Sequence, residues 1–298
     1  MRISLPAAVW LVLAAVYIAD ALWMLAAGFS MRWQGSLPLL RMPVILATGA
    51  LFYHYIRRDR RITELMVAIL QLMLFAPAMA VLSYLFVSLP FPLVDAQLIA
   101  FDHALGFDWR AHIEWLTRHI RVNTVLAGIY MTLMPQQLLL VIALAGIKQF
   151  TELQRYLLAF MLSAIVCSMF ACLLPAVGGY IYYDIDVNHL SISPAAARVH
   201  ETHLLGLRAN ELRSLAIEEM QGLITFPSFH VAAAVLVAYA ARALHRIIFG
   251  VAVGLNAIMI VSVFSQGGHY LVDALGGAAI AAASIAAVRL LPPARSIA

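Results

Sequence analysis

The chain has 298 residues, 64% hydrophobic and 11% charged, against roughly 25% charged in an ordinary soluble domain. Apolar runs near 20 residues recur from end to end, which excludes a soluble enzyme and defines a polytopic membrane protein. The formal charge of +4 is spread over scattered arginines and one lysine, Lys148. That pattern excludes a nucleic-acid surface and fits the positive-inside bias instead.

Eight membrane spans are predicted, at about 6–28, 36–56, 62–89, 123–146, 156–177, 227–246, 247–266 and 269–290. The first follows Arg2, yet it is longer than the 7 to 15 residue core of a signal peptide. Ala26-Ala27-Gly28 also matches an A-x-A cleavage site poorly, so a retained helix is expected. Asp20 and Arg41 fall in the outer halves of the first two spans, where an unpaired charge costs at least ~2.5 kcal/mol, and they are expected to neutralise each other. Placing Arg57, Arg58, Arg60 and Arg61 in the cytoplasm brings Lys148 and Arg155, then Arg242 and Arg246, then Arg289 and Arg295 to the same side. Both termini are then cytoplasmic.

Between the third and fourth spans, residues 90–122 mix Asp95, Asp102, Asp108, Arg110, Glu114, Arg118 and Arg121 with regularly placed apolar residues. This predicts short interfacial helices that roof the bundle. Cys167 and Cys172 lie five apart in one apolar segment and define neither a disulfide framework nor a metal knuckle. A second long outer segment, 178–226, contains His200-Glu201-Thr202-His203. Its histidines are three apart, whereas the helical metalloprotease motif needs four, so no metal is assigned there.

The chemistry is concentrated in two strings, Phe226-Pro227-Ser228-Phe229-His230 and His269-Tyr270-Leu271-Val272-Asp273. His230 and His269 are 39 residues apart, roughly 58 Å of helix at about 1.5 Å per residue, or two crossings of a ~30 Å hydrocarbon core. Both histidines therefore return to one face. Pro227 is placed in the first turn of a helix, where its missing N–H costs little. The free N–H groups around Ser228, Phe229 and His230, backed by the helix dipole, suit an anion. His269 and Asp273, four apart on a second helix, let the carboxylate hold one ring nitrogen so that the other acts as base or nucleophile. Gly267 and Gly268 clear the approach. A nucleophile, an acid and positive dipoles suffice for phosphoryl transfer, and these residues supply all three without a metal or other cofactor.

The strings resemble the second and third motifs of the type 2 phosphatidic acid phosphatase superfamily, Pro-Ser-Gly-His and Ser-Arg-x5-His-x3-Asp. They are closer to the branch similar to inositol phosphorylceramide synthase, which reads Phe-Pro-Ser-x-His and His-Tyr-x-x-Asp. The resemblance implies that His269 forms a phosphohistidine, Asp273 orients it and His230 protonates the leaving group. It also implies a six-helix core, here 62–298 with outer loops 90–122 and 178–226, preceded by two extra helices in 1–61. Two departures stand out. The superfamily's first motif, Lys-x6-Arg-Pro, is absent, and Val263 follows Ser262 where the third motif has Arg. A phosphate clamp must come from elsewhere, and Arg208 and Arg213 are candidates for their planar forks, with Gln136 and Gln137 as further donors.

The expectation is thus an all-α membrane bundle, a lipid phosphatase or phosphotransferase of the inner membrane with its site on the outer face. Its partners are the bilayer and a lipid phosphate or phospholipid substrate. Water and an alcohol can both attack a phosphohistidine, which leaves hydrolase and transferase open; Phe229 in place of Gly leans toward an occluded pocket and transfer. A transporter or lipid-binding protein without catalysis is the alternative. It predicts charges near the bilayer midplane and broken helices in matching halves, which the chain does not show.

Overall fold

The computed structural model describes residues 3–33, 37–185, 187, 198 and 200–292. The middle of the 178–226 segment and the chain after 292, with Arg295, lie outside the described residues, as does Arg2. The described residues form an all-α bundle. Seven of its helices are long and apolar enough to cross a membrane, and an eighth, Phe229–Ala243, is apolar but shorter.

In chain order, α1 (Leu5–Ala27), α2 (Arg41–Phe52, prolonged by a π turn to Arg57) and α3 (Arg60–Val87) correspond to the first three predicted spans. Helices α4 (Asp95–Ala104) and α5 (Trp109–Arg118) occupy the amphipathic segment. The fourth span is two pieces, α6 (Ile120–Tyr130) and α7 (Leu133–Gly146). Then come α8 (Phe150–Leu173), the short α9 (Gly179–Tyr182), α10 (Glu201–Arg208), α11 (Phe229–Ala240), α12 (Arg246–Gln266) and α13 (Leu271–Arg289). Strands β1 (Ser30–Met31) and β2 (Ser214–Leu215) pair in parallel and tie the end of α1 to the loop before α11.

Local chemistry sets the boundaries. Asp59 caps α3 by accepting from the N–H groups of Arg61 and Ile62 at 2.9 and 3.3 Å, satisfying donors that a helix start leaves free. Pro135 has no N–H to give Met131, so the helix breaks at Met131-Thr132 and resumes as α7.

Helix α8 is central, packing against α1, α3, α11 and α13, while α11 packs against α8, α12 and α13. Ala232, Ala233 and Ala234, in succession round α11, are all wholly buried. Small residues let helix backbones approach closely where lipid offers no hydrophobic drive between helices. Both buried cysteines lie in α8 and are free.

The Asp20–Arg41 pair does not form. Helices α1 and α2 both lean on α3; Asp20 is buried with its Oδ1 unpartnered among the described residues, and Arg41 is exposed. Opposite charges at equal depth pair only when their helix faces meet, and here the faces turn elsewhere.

The bundle has two chemically different ends. Arg57, Arg58, Arg60, Arg61, Lys148, Arg155, Arg242, Arg246 and Arg289 lie at or near helix ends on one side, and His230 and His269 at helix starts on the other.

Candidate active site

Helix α11 begins two residues later than the sequence suggests. Ser228 is its N-cap, with Oγ accepting from Val231 N–H at 3.5 Å, and Pro227 precedes the cap after a cis Phe226–Pro227 bond. The Ser228 N–H donates to the Asp273 carbonyl at 3.0 Å, which joins the two strings directly. Phe229 and His230 N–H remain at the helix start, where the dipole is positive. The His230 ring stacks on Tyr130, with centroids 4.7 Å apart and planes 14° from parallel. Tyr130 is the last residue of α6, beside the Pro135 break.

His269 lies just before α13 and not on it. Asp273 therefore works as a first-turn residue reaching back: Oδ2 accepts from Tyr270 N–H at 2.9 Å and lies 3.2 Å from His269 Nδ1. Both side chains are buried. The other edge of the imidazole faces the Thr225 carbonyl and Gly267. A Cβ at Gly267 would come within 2.7 Å of His269 Cδ2 and 3.2 Å of Nε2, so only glycine leaves this ring its place. Gly268, at φ 68°, directs its carbonyl to Gly179 N–H at 2.9 Å. The Ser228–Asp273 bond sets the starts of the two helices side by side, and His230 and His269 with them.

Two aspartates that composition assigned to a roof are part of this turn. Asp95 Oδ1, 2% exposed as a residue, accepts from Val177 N–H at 3.1 Å, Gly178 N–H at 3.0 Å and Tyr270 O–H at 2.9 Å. Asp102 accepts from the N–H groups of Leu271 and Val272 at 2.8 and 2.9 Å, capping α13 from across the fold. Burial pushes the Asp102 carboxyl up from its ordinary value, and these two donors pull it back. Trp109 Nε1 donates to the Phe264 carbonyl and Tyr180 O–H to the Ser265 carbonyl, fixing the chain that leads into His269. Asp102→Ala, which removes the cap from α13, is expected to cost about 1–2 kcal/mol and to lower the thermal unfolding midpoint; an unchanged midpoint would show that the cap carries no stability.

The clamp candidates separate. Arg208 Nη2 donates to the Phe91 carbonyl at 2.7 Å, while its buried Nη1 has no partner among the described residues. It lines a cleft shared with Leu223 and Thr225, the residue whose carbonyl faces His269. Arg213 is elsewhere, donating to the Ala27 carbonyl at 3.2 Å and lying over the Phe29 ring at 4.4 Å. The glutamines are too deep. Gln136 accepts from Asn256 at 2.7 Å, ten residues or about 15 Å down α12 from Gln266. Gln137 is buried beside Tyr156, which lines a cleft at the arginine end. Ser262 donates to its own helix at Met259 and not toward the site. In the His-Glu-Thr-His run, His203 Nδ1 meets Tyr84 O–H at 2.6 Å and His200 Nε2 lies 3.4 Å from the Val177 carbonyl. The structure thus gathers Ser228, His230, His269 and Asp273, puts Arg208 in an adjoining cleft, and leaves Arg213, Gln136 and Gln137 outside.

An all-α membrane bundle that brings two histidines and a carboxylate to the starts of two adjacent helices defines a class of membrane protein built for chemistry near one surface. The chain belongs to the PAP2 superfamily, whose family model matches residues 96–287, a stretch that includes both strings, Asp102 and Arg208. No curated protein and no solved structure matches the chain. Membership and the apolar helices together make it a membrane protein of the phosphatase type.

Proposed function

We propose that this protein is a lipid phosphatase or phosphotransferase that acts through a phosphohistidine on His269 at the outer face of the membrane. The observation that carries this reading is the Asp273 carboxylate, which holds His269 Nδ1 and Tyr270 N–H together, so that Nε2, beside Gly267, is the ring nitrogen left for phosphorus. In the first step Nε2 bonds to phosphorus as the P–O bond to the leaving group breaks, and His230 gives that oxygen a proton. In the second, His230 takes the proton of a water or alcohol whose oxygen bonds to phosphorus as the P–N bond breaks, restoring His269. The helix start at Phe229 and His230 stabilises the equatorial oxygens. The arginine-rich end faces the cytoplasm in this reading, following the positive-inside bias.

The deciding assay uses sealed membrane vesicles of both orientations, supplied with labelled phosphatidic acid or phosphatidylinositol and a chelator, with and without diacylglycerol, ceramide or inositol. Turnover is expected only where the histidine end faces the added substrate. Free phosphate at a rate indifferent to every acceptor would make the protein a hydrolase, and turnover only in inverted vesicles would overturn the orientation. No phosphorus-containing product in either would refute the reading.

Arg208 serves as the side-chain clamp that replaces the missing motif arginines, through the Nη1 left free beside Thr225. Arg208→Ala is expected to reduce kcat/KM about ten- to a hundredfold, or roughly 1.5–3 kcal/mol. Arg213→Ala should change kcat/KM little, and so should Arg198→Ala, because Arg198 is committed to Glu201 and Asp184 at 2.7 Å each and holds the Glu201 carboxyl below its usual range. Equal small effects at all three would leave the helix start as the sole phosphate binder.

A further inference from the structure

The end of the bundle opposite the histidines carries a second arrangement of charge that the proposed reaction does not use. Helices α8, α11 and α13 form a shallow cleft there, with Ala159, Leu236, Ile285 and Val288 along its wall. At the mouth stand Arg155, Arg242 and Arg289, with Glu152 as the one carboxylate among the lining residues. Glu152 accepts from Arg155 at 2.8 Å and from Arg242 at 2.5 Å. One carboxylate against three guanidinium groups leaves two net positive charges. Arg242 and Arg289 both lie over the Tyr239 ring, at 3.7 and 5.1 Å from its centroid, which gathers the two guanidinium groups round one side chain. Two buried donors, Arg155 Nε and Tyr239 O–H, have no acceptor among the described residues. Buried donors are costly to leave unmade, and an oxyanion is the ligand that supplies acceptors to all of these groups at once.

We infer that this cleft binds the phosphate of an anionic phospholipid in the leaflet at the arginine end, with part of an acyl chain along the apolar wall. Arginine suits the phosphate because its fork matches two oxygens, and basic pockets between membrane helices are the form that headgroup recognition takes. The wall distinguishes a lipid from a free anion, since inorganic phosphate gains nothing from Leu236 or Ile285. The cleft stands apart from His230 and His269, at the other ends of α11 and α13, so this site does not depend on the proposed chemistry.

The test measures the thermal unfolding midpoint of the purified protein in neutral detergent micelles. These are doped with dioleoylphosphatidylglycerol or dioleoylphosphatidylcholine, or bathed in inorganic phosphate without lipid. Saturating phosphatidylglycerol should raise the midpoint by roughly 4 °C or more over phosphatidylcholine. Arg289→Gln, at an exposed residue with no ion pair among the described residues, should keep the midpoint in phosphatidylcholine and lose most of that shift. A double change at Arg57 and Arg58 to glutamine removes more positive charge at the same end and should keep the shift. An equal shift from inorganic phosphate would overturn the lipid assignment. Equal midpoints in the two lipids, or a full shift in Arg289→Gln, would overturn the site itself.

Discussion

His269→Ala is expected to lower turnover of a lipid phosphate by about 10⁴-fold or more while leaving the protein folded. The side chain is buried but sits before α13, where it caps nothing, and its backbone N–H still reaches the Val263 carbonyl at 3.3 Å. Alanine removes a nucleophile and little of the scaffold. The acid-labile, base-stable label that a phosphohistidine gives after brief exposure to radiolabelled substrate should vanish in this variant. His230→Ala should slow both half-reactions by roughly 10²–10⁴-fold, the usual weight of a general acid and base, and still form some label. Asp273→Asn is expected to show a different signature. Asparagine can still accept from Tyr270 N–H but no longer supports positive charge on the ring, so label formation slows with the substrate KM nearly unchanged. A His269→Ala protein that retains both turnover and label would overturn the proposed mechanism.

Much of the bundle was readable from apolar runs, because a ~30 Å hydrocarbon core sets a minimum length that few other structures demand. All eight predicted spans have a helix in the structure, and the 90–122 segment became two short helices as its mixed pattern suggested. The histidine strings were legible because their partners are local: Asp273 is four residues from His269, and Ser228 three from Val231. What the sequence hid lies at long range. Asp95 reaches Tyr270 across 175 residues and Asp102 reaches Leu271 across 169. An amphipathic pattern says which face of α4 is polar, and not which backbone donors that face will meet. Asp20 and Arg41 show the same limit from the other side, since matching depth and sign did not make their helices neighbours. The glutamines failed for a simpler reason, which the helical rise alone exposes. Gln136 is six residues beyond Tyr130, on which His230 stacks, and so about 9 Å further along the helix path.

Gly277→Ala is expected to be the most damaging conservative change in the bundle, and the reason is the distance between two backbones. A Cβ at Gly277 would lie 2.2 Å from the Ser228 carbonyl oxygen and 3.2 Å from Val231 Cβ. The obstacle is main chain at the start of α11, which no rotamer change relieves. Helices α11 and α13 must therefore separate, and the Ser228 N–H to Asp273 carbonyl bond stretches with them. Overpacking of this kind costs about 1–3 kcal/mol, and a displacement near 1 Å between reacting groups costs on the order of 100-fold in rate. The variant should show both, a lower unfolding midpoint and a large loss in kcat, because the contact that packs the helices also sets His230 against His269. Gly128→Ala is the matched control. It lies inside α6 with open space around its Cβ, and removing a helical glycine there should be neutral or stabilising by roughly 0.5–1 kcal/mol. If Gly277→Ala kept wild-type midpoint and rate, the close approach of α11 and α13 would not be what aligns the two strings.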